Sequence, residues 1–140
     1  FVADEAQLRS ALADFAAAGI KDFIVSAHLE GDLVKFYGVE GTPFFSHTYP
    51  TRENGFSKFG LEQHNGAPAE YSFSVSALKT TADAAARHFG MPIYGGDAII
   101  RPDGRFFLID FNDWPSFGSC TQAAAEAIAT RALHFLRPGA

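Results

Sequence analysis

The stretch YGGDAIIRPDGRFFLIDFNDWP, Tyr94 to Pro115, decides how the rest of the chain is read. Two β-rich runs, Tyr94 to Ile100 and Arg105 to Phe111, flank Arg101-Pro102-Asp103-Gly104. There Pro presets φ for a type I turn and Gly accepts the left-handed position after it, which is a strong hairpin signal. Register decides what the hairpin offers, since a slip of one residue sends every side chain to the opposite face. Pairing Ile100 with Arg105 across a four-residue loop puts Asp97 on one face with Phe106, Leu108, Asp110 and Asn112. Pairing Arg101 with Arg105 across three residues turns Asp97 away. The four-residue loop is the expected one, because it gathers Asp97, Asp110 and Asn112 into an acidic cluster at one sheet end while both faces stay otherwise apolar. Hard divalent cations take such oxygen ligands, and Mg²⁺ is usually held by one or two carboxylates while phosphate oxygens and water complete its shell. The alternative is that Asp110 and Asn112 are turn chemistry around Asp113-Trp114-Pro115.

Outward from the hairpin, the chain of 140 residues is the size of one domain or one large lobe. Hydrophobic residues make up 47% and charged residues 19%, the balance of a globular protein rather than a disordered one. Fifteen Phe suggest a sheet covered on both faces, or aromatic surface that another part of the protein covers. A net charge of −5 leaves no basic field for nucleic acid. The single cysteine, Cys120, rules out an intrachain disulfide and fits a reducing cytoplasm. No apolar run reaches the length of a membrane span, which takes about 20 residues, and no signal peptide is visible. The chain starts Phe1-Val2 without Met, and a piece of a longer protein is expected.

Asp4 to Ala18 carries Leu8, Ala11, Leu12, Phe15 and Ala18 at helical spacing with Gly19 as its stop, and reads as a packing helix. Asp22 to Ala27 reads as a short strand, His28 to Asp32 as a hinge and Leu33 to Val39 as a second strand. Lys35 lies inside that second run, where an ammonium must reach water or an anion. Glu40 to Pro43 turns, and Phe44 to Tyr49 returns as a third strand. Pro50 to Pro68 has no sustained periodicity and bears Arg52, Lys58, Glu62 and His64, residue types that grip acidic substrates or steady a phosphoryl group. Ser74 to Phe89 places Val75, Leu78, Ala82, Ala85, Ala86 and Phe89 on one helical stripe stopped by Gly90, with His88 structural. Ser119 to Leu136 is a final helix with Ala123, Ala127, Ile128, Ala132, Phe135 and Leu136 inward, Ser119 or Thr121 as N-cap, and Cys120 inert. No P-loop, zincin, CxxC or GxSxG motif is present.

Gly96-Asp97, then Asp110-Phe111-Asn112 and Pro115, resemble the ATP-grasp superfamily. Its C-terminal lobe carries an Asp on one strand and an acidic-X-Asn pair on the next, before a Pro-containing turn. The resemblance spans roughly Asp22 to Leu136. It implies an α+β lobe with a mainly antiparallel sheet packed by helices, residues 31–140 being the C-terminal subdomain and residues 1–30 the end of the preceding one. It implies ATP and Mg²⁺ as cofactors, with Asp97, Asp110 and Asn112 on the metal and Lys35 on the phosphates. The adenine would lie at the hinge backbone of Ala27 and Leu29, with Glu30 toward the ribose, although relatives often have Gln-Glu where this chain has Ser26-Ala27. Arg52 and Lys58 are the further candidate catalytic residues. The implied activity is a ligase that activates a carboxylate as an acyl phosphate for attack by an amine. A kinase of a small polyol phosphate and a non-catalytic scaffold are the alternatives. Expected partners are the small-molecule acceptor and the N-terminal ATP-clamping lobe of the same protein, with a homodimer as a further expected assembly. Residues 1–140 alone are expected to turn over little.

Overall fold

A computed structural model describes residues 2–50 and 67–136. Among them the elements run α1 (Glu5–Ala17), β1 (Asp32–Val39), β2 (Phe45–Thr48), α2 (Val75–Phe89), β3 (Ile93–Ile100), β4 (Phe106–Asp113) and α3 (Thr121–Leu136). The four strands form one antiparallel sheet in the order β2-β1-β3-β4. The fold is therefore α+β. No helix among the described residues is long and apolar enough to cross a membrane.

Strand alternation divides the sheet into two unlike faces. Val34 and Phe36 of β1 and Tyr94, Ala98 and Ile100 of β3 pack with Leu78, Ala82 and Ala86 of α2 into one buried core, flanked by Phe106, Leu108 and Phe111 of β4. Three of the stripe positions expected in α2 are buried, while Val75 and Phe89 at its ends are exposed. The helix is bounded as its sequence dictates: the Ser74 hydroxyl accepts from the Ala77 N–H, and Gly90 stops it at φ 68. Tyr94 spans from sheet to helix, its hydroxyl donating to Asp83 at 2.7 Å. Its ring occupies the space where a side chain at position 38 would lie, so Gly38 is needed there.

The opposite face carries Leu33, Lys35 and Tyr37 of β1. At one end Pro115 lies against Gly95, and the Phe117 ring is 5.9 Å from that of Tyr37. At the other end α1 and residues 23–29 enclose a cavity with Ile99 and Ile109. The middle of the face lies between these two coverings.

Several expectations need correction. The run Asp22 to Ala27 forms no strand, and Ile24 is 94% exposed. Its β-branched residues have no ladder partner, and such residues favour strands only where a pleated neighbour is there to pack against. Helix α1 is capped by Asp4, whose carboxylate accepts from Gln7 N–H, but buries no residue, so its apolar stripe faces the cavity rather than a closed core. In α3 the buried residues are Ala124 and Ala127, with Phe135 and Leu136 exposed. The helix starts at Thr121, with the Ala124 N–H on the Cys120 carbonyl, later than a Ser119 cap requires. In the β3–β4 hairpin, Ile100 pairs with Phe106 and the Arg101 N–H donates to the Arg105 carbonyl, so the loop has the three-residue register rather than the four-residue one.

Candidate functional site

The three-residue register would by itself turn Asp97 away from Asp110, yet the two residues stand directly opposite each other. A β-bulge resolves this. Ala98 pairs with Leu108 and Asp97 with Asp110, so Ile109 is an extra residue on β4. A bulge sets two consecutive residues against one partner, and here both Ile109 and Asp110 lie on the exposed side of the strand. An apolar and an acidic side chain thus emerge next to each other from one strand.

The row continues across the sheet. Lys35 on β1 is the register partner of Asp97 on β3, and Thr48 on β2 is the partner of Lys35. Lys35 Nζ lies 3.3 Å from Asp97 Oδ1, with the two side chains 29% and 24% exposed. Asn112, two residues beyond Asp110 on the same face, donates from Nδ2 to Asp110 Oδ2. Close packing permits the row: at Gly96 an added Cβ would be 2.1 Å from the Asp110 carbonyl oxygen and 2.7 Å from Phe36 Cζ. Beside the row, burial pushes the Tyr37 hydroxyl up from its ordinary value. The Lys35 ammonium opposes that shift, while Cys120 and Asp97 add to it.

The donor set fits a hard cation. Directly opposed residues of an antiparallel pair have Cβ atoms about 5 Å apart, so the Asp97 and Asp110 carboxylates can close on one ion, with the Asn112 amide as a third oxygen ligand. Among the described residues no three His, Cys, Asp or Glu side chains cluster as a metal site. The arrangement supplies two carboxylates, within the one or two that Mg²⁺ usually takes from a protein.

Residues 27–29 share a cavity with neighbours of this row. Ala27 and Leu29 line a cavity of about 720 Å³ together with Leu8 and Phe15 of the first helix and Ile99 and Ile109 of the sheet. That volume lies within the range of small-molecule sites, roughly 300–1,000 Å³. Ile99 is two residues from Asp97, and Ile109 is next to Asp110. Glu30 is exposed and does not line the cavity. Ile99 and Ile109 were missed in the sequence because apolar residues in a strand read as core; the three-residue register sets Ile109 on the open side, and the bulge brings Asp110 there beside it. Arg52, Lys58, Glu62 and His64 lie outside the described residues.

No family model, curated protein or solved structure matches this chain.

Proposed function

We propose that this chain is the metal-bearing lobe of an ATP-grasp enzyme, which uses ATP and Mg²⁺ to activate a carboxylate as an acyl phosphate for attack by an amine. The observation that carries the reading is the row Lys35, Asp97, Asp110 beside a cavity that the hinge residues Ala27 and Leu29 line. Asp97, Asp110 and Asn112 would hold the ion, which when bound offsets phosphate charge. Lys35 reaches the same row and gives the phosphates a point-charge partner. Ile99 and Ile109 would give a nucleobase apolar contact, and the backbone of Ala27 and Leu29, in the same cavity, would supply the hydrogen-bonding groups. Catalysis in such a site is positioning and electrostatics, because phosphoryl transfer asks little covalent chemistry of the protein. Phe23, Ile24 and Val25, 48%, 94% and 62% exposed, would be the surface that the ATP-clamping lobe of such an enzyme covers.

The test is thermal unfolding of the full-length protein with Mg²⁺ and a non-hydrolysable ATP analogue. A ligand held at 100 times its dissociation constant stabilises by about 2.7 kcal/mol. For a domain of this size that is a rise of several degrees. The rise is expected for the wild type and absent in Asp110→Ala. A wild-type midpoint that does not move would overturn the reading. In the full-length enzyme, an amide product supports the ligase, and a phosphate ester would replace it with a kinase.

A further inference from the structure

We propose that Lys35 is a removable counter-ion for Asp97. It holds this carboxylate until polyphosphate draws it away, so a divalent cation alone binds weakly and cation and polyphosphate bind cooperatively. The inference rests on the reading of Asp97, Asp110 and Asn112 as metal ligands. Lys35 and Asp97 are paired in the ladder, and their 3.3 Å contact sets an ammonium against the side chain that a cation would use. Asp110 is satisfied differently, by the neutral amide of Asn112, which can turn its oxygen toward a cation without any charge leaving. The competition therefore falls on Asp97 alone.

Lysine suits such a role, since its ammonium sits on a flexible stem and makes no bidentate clamp on a carboxylate. A polyphosphate carries more negative charge than one carboxylate and offers the ammonium a stronger partner. Once Lys35 has moved to phosphate, Asp97 is released to the cation. Linkage requires each ligand to tighten the other by the same factor.

The test measures two ligands separately on the same chain: Mn²⁺ by electron paramagnetic resonance and metal-free tripolyphosphate by calorimetry. Lys35→Met is expected to bind Mn²⁺ at least about tenfold tighter than the wild type, a gain of about 1.4 kcal/mol. The same variant should bind tripolyphosphate at least about fivefold more weakly, an effect of the opposite sign that misfolding does not produce. Arg9→Met, which removes one exposed positive charge paired with Glu5 on α1, should change neither by more than about twofold, since exposed pairs of this kind contribute little. Unchanged Mn²⁺ affinity in Lys35→Met, or weakening of both ligands, would overturn the inference. The parent reading is judged by adding Asp110→Asn to Lys35→Met: loss of the gained Mn²⁺ affinity supports metal binding at this row, and no loss sinks that reading independently of Lys35.

Discussion

Gly96 is the residue on which the geometry of the row depends. It pairs with Phe111 on β4 and with Phe36 on β1, and a Cβ there would enter the Asp110 carbonyl, which cannot move without shifting β4, and the ring of Phe36, which is fully buried in the core. Overpacking of a closed site costs about 1–3 kcal/mol. Gly96→Ala is therefore expected to lose about 3 kcal/mol of unfolding free energy in urea and to displace Asp110 from Asp97. A variant as stable as the wild type would show that the strands can separate there freely. At this scale the sequence was partly legible. Asp97, Asp110 and Asn112 could be named from residue type and spacing, because oxygen ligands on neighbouring strands leave a pattern. The partner of Lys35 could not, because it sits 62 positions away on a strand whose place in the sheet is set by long-range packing.

At the scale of elements, helices were readable where local chemistry bounds them. Asp4, Ser74, Gly19 and Gly90 mark ends by side-chain capping or positive φ, and both properties belong to single residues. Strand pairing was less so: the sequence favours a four-residue loop from Arg101 to Gly104, the structure forms the three-residue one, and the bulge at Ile109 keeps Asp110 on the face that the shorter loop alone would deny it. Bulges leave little local signal, since the extra residue here is an ordinary Ile. The joint between β3 and α2 is the contact of Tyr94 with Asp83, which also receives Lys79. Burial first, and then the hydrogen bond to Asp83, raise the Tyr94 pKa above its ordinary value. A tyrosine with a raised folded-state pKa stays protonated while its unfolded counterpart ionises above about pH 10. The folded state then binds more protons, so stability is complete below that pH and falls as pH rises through the alkaline range. Tyr94→Phe should cost about 1.5–3 kcal/mol at pH 7, the worth of a hydrogen bond to a charged group. It should also lose less stability than the wild type between pH 9 and pH 11, as followed by denaturation at each pH. Parallel alkaline curves for the two proteins would show that Tyr94 titrates alike in both states.

For the whole molecule, the order β2-β1-β3-β4 means that the chain leaves the sheet at an edge strand and must return through α2 to a central one. Asp32, at the start of β1, holds the returning segment. Its carboxylate accepts from the Ala69 N–H at 2.8 Å and the Tyr71 N–H at 3.0 Å, and the residue is only 7% exposed. Glu70, between the two donors, takes the left-handed φ of 56°. Gly31, just before Asp32, comes so close to the Ile100 carbonyl that a Cβ would lie 2.2 Å away, so this corner has little room to rearrange. Such a clamp could not be found in the sequence, since Asp32 sits in a Gly-Asp pair that reads as turn chemistry and its partners are backbone groups without side-chain identity. Removing the carboxylate leaves two N–H groups without an acceptor, at about 1–3 kcal/mol each where water cannot replace it. Asp32→Ala is expected to lose about 3 kcal/mol in urea and to speed hydrogen exchange at Ala69 and Tyr71, while Asp32→Asn, which keeps one acceptor, should lose about half as much. If exchange at those two amides stays as slow as in the wild type, the return of the chain is held by the packing of Tyr71 and Phe73 against the core instead.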